Sequence, residues 1–97
     1  MTTKEDILKT LRGELPALHE RYGVKKIGLF GSYSRESQTP ESDADILVEF
    51  DRPIGFFKFI ELEDYLAARL QVKVEIVTDD ALKPLMRPHV MNEIVYA

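Results

Sequence analysis

The run ADILVEF, residues 44–50, constrains this chain more than any other segment, because its side chains alternate in character. On a strand, successive side chains point to opposite faces of the sheet. One face would carry the apolar set, Ala44, Ile46, Val48 and Phe50. The other would carry the remaining set, Asp43, Asp45, Leu47 and Glu49. The run therefore predicts a strand that packs on one face and presents acids on the other.

The two aspartates on the acidic face are a charge problem that the sequence has to solve. On a strand, residues two apart point the same way, with Cβ atoms roughly 6–7 Å apart. Like charges this close raise each other's pKa and destabilise the fold. A divalent cation removes the conflict, and Mg²⁺ usually binds through one or two carboxylates plus phosphate oxygens. We therefore predict that Asp43 and Asp45 are metal ligands.

A second alternating run, VKVEIV at residues 72–77, supplies a third carboxylate. Its inward set is Val72, Val74 and Ile76, and its outward set is Lys73, Glu75 and Val77. If this strand lies beside the first, Glu75 can add a third metal ligand or accept a proton from an attacking hydroxyl.

A Gly-Ser pair, Gly31 and Ser32, precedes the aspartates and suits a phosphate group. Glycine leaves the backbone open to close approach, and serine offers a hydroxyl donor. The segment SYSRES, residues 32–37, is predicted to form a short helix whose first amides bind an anion. Ser32 is disfavoured as a nucleophile because neither His19 nor His89 has a sequence cue that links it to this serine.

Arg35 lies one turn into that predicted helix, and two roles are possible for it. It can bind a phosphate oxygen bidentately, or it can hold the loop through an ion pair with Asp45 or Glu41.

The other segments predict the helices and turns that surround these strands. Residues 4–21 read as a helix capped by Thr3, with a break at 13–16 caused by Gly13 and Pro16. A buried strand is predicted from Lys25 to Gly31, and a turn at 38–42. A helix over 56–70 should lie on the apolar face through Phe56, Phe59, Ile60, Leu66 and Leu70. After a cap at Thr78, two prolines should split the C-terminal segment into short helical pieces.

Composition limits the remaining possibilities. A chain of 97 residues is read as a single domain, 1–97, and its lack of cysteine excludes thiolate sites and fits a reducing cytoplasm. No run approaches the roughly 18 apolar residues of a membrane span, so no membrane association is expected. The net charge of −4 argues against direct binding to a nucleic-acid backbone.

The segment GSYSRESQTPESDAD carries the pattern Gly-Ser, ten residues, Asp, one residue, Asp. With YGVKKIGLFGS, VKVEIVT and the C-terminal LKPLMRPHVMNEIVYA, it resembles the minimal nucleotidyltransferases (MNT) of the DNA polymerase beta superfamily. The resemblance implies an α/β fold, a small mixed β-sheet with helices packed on one face. It implies nucleotidyl transfer with two Mg²⁺ ions, a triphosphate held by Gly31 and Ser32, and both metals held by Asp43 and Asp45. Glu75 stands where the family usually has aspartate.

Family members of this size are commonly antitoxins encoded beside a HEPN-domain ribonuclease, and some transfer AMP from ATP to a tyrosine of that toxin. The resemblance thus implies ATP as substrate and a HEPN toxin as partner in a hetero-oligomer. Two alternatives stay open: a non-catalytic antitoxin that neutralises the toxin by complex formation, and a free-standing transferase with another acceptor.

Overall fold

Four strands form one mixed sheet in the computed structural model, which describes residues 2–97. The strands are β1 (Val24–Phe30), β2 (Ala44–Phe50), β3 (Val74–Thr78) and β4 (Val95–Tyr96). The helices are α1 (Lys4–Tyr22), α2 (Phe56–Leu70) and α3 (Arg87–Glu93), with a 3₁₀ turn at Asp79–Ala81. The predicted α/β class is confirmed, and the predicted strand at 44–50 matches β2 residue for residue.

The order of the strands across the sheet is β3-β2-β1-β4. β1 pairs antiparallel with both β2 and β4, whereas β2 and β3 are parallel. A parallel pair needs a crossover connection, and α2 provides it between β2 and β3. Because both parallel strands start at the same edge, the residues at their N-terminal ends meet there.

The main core lies between one face of this sheet and the helices α1 and α2. Both helices contribute fully buried leucines to it, including Leu11, Leu18, Leu62 and Leu66. Beneath them, the β2 residues Ala44, Ile46 and Val48 alternate with the acids as predicted, and Ile27 and Leu29 of β1 are buried with them, all at 0 or 1% exposure. Burial of this apolar surface is the main force that fixes the sheet and hence the acidic edge.

Helix α1 runs without interruption, so the predicted break at residues 13–16 is wrong. Thr3 and Asp6 form the expected capping box, and Gly23, at φ +74°, ends the helix. Pro16 lies on the exposed side, where the backbone carbonyl that loses its N–H partner can bind water instead. The buried stripe of α1 faces the core, and its packing outweighs the local cost of the proline.

The buried stripe of α2 differs from the prediction although the ends of the helix match it. Leu62, Leu66 and Leu70 are buried, whereas Phe56 is 72% exposed and Ile60 is also exposed. The leucines of this helix face the core, and Phe59, as predicted, packs against it while partly buried. The prediction that Phe56 and Ile60 pack on the sheet is therefore wrong.

The C-terminal segment covers part of the opposite face of the sheet. Ile94 packs where a side chain on Gly28 would otherwise lie, with its Cδ1 only 2.7 Å from the position of a Cβ there. Leu47, on the same face as Gly28, is buried at 3% exposure. The strand β4 was missed from the sequence because two residues are too short to show alternation. Each helix within residues 2–97 is too short or too polar to span a lipid bilayer.

Candidate active site

The predicted acids meet at one edge of the sheet. Asp45 lies between Phe30 on β1, its antiparallel partner, and Glu75 on β3, its parallel partner. Asp43 directly precedes β2, and its charge acts on Asp45. The structure therefore brings all three predicted carboxylates to the place where β1 ends.

Gly31 directly follows β1 and touches Asp45. Its φ of +76° lies in the left-handed region that side chains disfavour. A Cβ on Gly31 would overlap Oδ2 of Asp45 and would lie 3.1 Å from its Cγ. Only glycine fits here, so the Gly-Ser pair and the aspartates belong to one site.

The segment after Gly31 is a tight turn and not the predicted short helix. The N–H of Arg35 donates to the carbonyl of Gly31, and the N–H of Ser37 donates to the carbonyl of Ser32. Glu36, at φ +58°, reverses the backbone and prevents a second helical turn. The local hydrogen bonds thus close a loop rather than start a helix.

This turn contains three successive backbone N–H groups that donate no hydrogen bond among residues 2–97. No hydrogen bond between the described residues uses the N–H of Ser32, Tyr33 or Ser34. Consecutive free amides in a turn form a concave site for an anion, and phosphate is the common occupant. The helix that was predicted to bind an anion is absent, and an anion site at the turn stays a prediction.

Asp45 has the perturbed electrostatics that the paired acids predict. Its pKa is raised to about 6, first by burial and then by the charges of Glu75 and Asp43. The Arg35 guanidinium opposes this rise. Such a conflict is relieved when a cation binds the carboxylates.

The carboxylates at this edge fit Mg²⁺ as two protein ligands and do not form a complete coordination shell. Among residues 2–97, no three acidic or histidine side chains are arranged to hold one metal ion. Asp43 and Asp45 would supply the one or two carboxylates that Mg²⁺ usually takes, and substrate phosphates and water would supply its other ligands. Glu75 is exposed beside them, so its role as a ligand stays a prediction.

Arg35 makes neither of the predicted ion pairs. Its Nη1 donates to Oε2 of Glu93 at 2.6 Å and not to Asp45 or Glu41. Glu93 was missed because it lies 58 residues away in the sequence, and no local pattern links the two positions.

A cavity of about 500 Å³ adjoins the acidic edge, lined among others by Tyr33, Gln38, Ser42 and Lys73. A larger cavity, of about 610 Å³, lies at the other ends of β2 and β3 beside Phe50 and Asp79. None of the six predicted site residues lines either cavity. The charge and glycine geometry, rather than cavity size, therefore locate the site.

The family model that matches the chain is the nucleotidyltransferase domain, over residues 8–97. This chain belongs to the nucleotidyltransferase family.

A relative of this nucleotidyltransferase domain is the protein adenylyltransferase MntA of Thermococcus cleftensis. The two are 44% identical over 96 residues, which cover 99% of this chain and 97% of the relative. Full coverage at this identity extends the relationship from the motif to the whole fold.

Two solved complexes contain a similar fold. One is a toxin–antitoxin crystal structure with AMP-PNP, with a TM-score of 0.69 and 28% identity, covering 96% of this chain and 70% of that one. The other is a tri-AMPylated HEPN toxin from Shewanella oneidensis in complex with MNT antitoxin. It has a TM-score of 0.60 and 26% identity, covering 96% of this chain and 66% of that one. The polymerase-beta-like fold expected for this nucleotidyltransferase is confirmed, and the chain is an enzyme by family.

Proposed function

We propose that this protein is a Mg²⁺-dependent antitoxin that transfers AMP from ATP to a tyrosine of a cognate HEPN ribonuclease toxin. The observation that carries the proposal is the contact between Gly31 and Asp45, which joins the turn at residues 31–37 to the paired acids. Support also comes from the adenylyltransferase relative and from the AMPylated toxin complex described above.

The chain's own residues would bind and orient the nucleotide. The free N–H groups of Ser32, Tyr33 and Ser34, with the Ser32 hydroxyl, would hold the triphosphate. Asp43 and Asp45 would hold two Mg²⁺ ions. When bound, Mg²⁺ neutralises charge that develops on the phosphate oxygens.

The proposed transfer is an in-line displacement at the α-phosphorus of ATP. A bond forms between the tyrosine oxygen and the α-phosphorus while the bond from that phosphorus to the β-phosphate oxygen breaks, which releases pyrophosphate. The tyrosine proton passes to Glu75, which is exposed at the acidic edge and can serve as general base. Proton acceptance at this point increases the negative charge on the attacking oxygen.

Transfer of label from α-labelled ATP tests this function. The protein, Mg²⁺ and the product of the neighbouring gene are incubated, and labelled toxin is located by mass spectrometry. Label on a toxin tyrosine is expected, and Asp43→Asn with Asp45→Asn should abolish it. No label on any acceptor, or equal label with the double variant, would overturn the enzymatic proposal.

A matched control uses aspartates outside the site. Asp64 and Asp80 are exposed on α2 and in the 3₁₀ turn. Replacing both with asparagine changes the net charge by the same amount but should leave transfer intact. This separates the chemistry of the site from a general effect of charge on the acidic protein.

Neutralisation by binding alone is a second candidate function. The observation that favours it is an exposed apolar surface at the start of α2, where Phe57 is 85% and Phe56 is 72% exposed. Exposed aromatic residues of this kind are typical of protein contact surfaces. Toxin neutralisation that survives loss of both Asp43 and Asp45 carboxylates, with a stable stoichiometric complex, would favour binding over transfer.

A further inference from the structure

One residue at the end of α3 holds two consecutive residues of the nucleotide turn. The Glu93 carboxylate accepts a hydrogen bond from Arg35 at 2.6 Å, and its backbone carbonyl accepts one from the Ser34 hydroxyl. Charge-assisted hydrogen bonds of the first kind are the stronger class. The turn that presents the free amides is therefore tied to the C-terminal segment.

Glu93 is the better anchored partner in this contact. Its side chain is 21% exposed, whereas that of Arg35 is 55% exposed. The next residue, Ile94, packs over Gly28, and β4 then pairs with β1. The sheet thus fixes Glu93, and Glu93 fixes the arginine.

The ion pair with Glu93 also affects how Arg35 interacts with Asp45. The Arg35–Glu93 ion pair at 2.6 Å lies near the acidic edge, because Arg35 lowers and Glu93 raises the pKa of Asp45. Without a fixed partner, a flexible cation beside a partly buried carboxylate pairs with that carboxylate. Arg35 would then occupy the aspartate proposed to bind metal and would be lost to the phosphates.

We propose that Glu93 is a positioning residue of the nucleotide site, which holds Arg35 toward the triphosphate and away from Asp45. The inference rests on the proposed function, because it requires that a nucleoside triphosphate binds at the Gly31–Ser34 turn. Glu93 itself touches no substrate and acts through the arginine.

A double-mutant cycle on nucleotide binding tests the coupling. AMP-PNP with Mg²⁺ is titrated calorimetrically into wild type, Glu93→Gln, Arg35→Ala and the double variant. Glutamine keeps the shape of residue 93 and leaves its backbone bond to Ser34 in place. We expect Glu93→Gln to weaken binding by about tenfold, as for loss of a charged hydrogen bond. In the Arg35→Ala background the same change should cost less than about twofold, because its effect passes through the arginine.

A control variant and a stability measurement exclude a general effect. Glu49→Gln removes a carboxylate that pairs with Lys25 at 3.6 Å near the far end of β2, and it should bind AMP-PNP as wild type does. Wild-type affinity in Glu93→Gln, or additive losses in the cycle, would overturn the role of Glu93 alone. No binding of AMP-PNP by wild type would overturn the proposed nucleotide site and this inference with it. Melting temperatures of all variants, followed by circular dichroism, keep loss of fold separate from loss of affinity.

Discussion

Asp45 and Glu75 are direct register partners on the parallel strands β2 and β3. Both side chains lie on the acidic side, and each strand begins at the same edge of the sheet. The charge of Glu75 is the largest electrostatic contribution that raises the pKa of Asp45. The fold therefore holds two carboxylates in repulsion, a cost that is consistent with a binding site rather than with a stabilising device.

The first prediction concerns the side chain at position 75. Glu75→Gln should lower kcat for AMP transfer by roughly 10²-fold or more, the usual size of a general-base contribution. Glu75→Asp keeps a carboxylate and should retain activity within about tenfold of wild type. The label-transfer assay at saturating ATP measures both, and equal rates for wild type and Glu75→Gln would show that this residue is only a solvated strand residue.

The second prediction compares two glycines. Gly31→Ala combines an unfavourable φ with overlap on Asp45, so it should lower the free energy of unfolding by at least about 1–2 kcal/mol and abolish transfer. Gly13→Ala lies inside α1 with no atom within 4 Å of the added Cβ, and should raise stability by about 0.5–1 kcal/mol. Urea unfolding of both variants checks the opposite signs, and a fully active Gly31→Ala would contradict the close contact.

Local patterns in the sequence were enough to predict the acidic strand. Alternation over seven residues located β2, and the Gly-Ser pair was predicted to hold a phosphate, but the contact of Gly31 with Asp45 came only from the structure. Both predictions depend only on residues that lie close together in the sequence. The metal ligands among these acids remain a prediction.

The features that the sequence did not predict depend on long-range packing. Glu93 contacts Arg35 although 58 residues separate them in the sequence. The two-residue strand β4 is defined by its antiparallel pairing with the edge of β1. The uninterrupted helix α1 shows the same dominance of tertiary packing, because its buried residues keep the backbone helical through Pro16. Local propensity is a weak guide where tertiary contacts carry most of the energy.

The third prediction tests which stripe of α2 belongs to the core. Leu66→Ala should lower the free energy of unfolding by about 2–4 kcal/mol, because Leu66 is fully buried. Phe56→Ala, at a residue that is 72% exposed, should change it by less than about 0.5 kcal/mol. Chemical denaturation measures both, and a large loss of unfolding free energy in Phe56→Ala would show that this phenylalanine packs in the core.

The fourth prediction is a pH dependence of stability at Asp45. Its pKa is raised from 3.8 to about 6 in the folded protein, so the folded state binds the proton more tightly than the unfolded state. Stability from this group is then fully present below pH 3.8 and is lost as the pH rises through about 6. The full shift corresponds to about 3 kcal/mol, which partial solvent exposure reduces to roughly 1–2 kcal/mol. Asp45→Asn should therefore raise the free energy of unfolding by roughly 1–2 kcal/mol more at pH 7.5 than at pH 4.0.

Urea unfolding of wild type and variant at the two pH values measures this difference, and Asp64→Asn, at an exposed position on α2, serves as the matched control. The control should show the same small effect at both pH values. Adding Mg²⁺ at pH 7.5 should stabilise wild type more than Asp45→Asn, because the cation relieves the repulsion that the substitution has already removed. An Asp45→Asn effect that is equal at both pH values would show that folding does not perturb this carboxyl group.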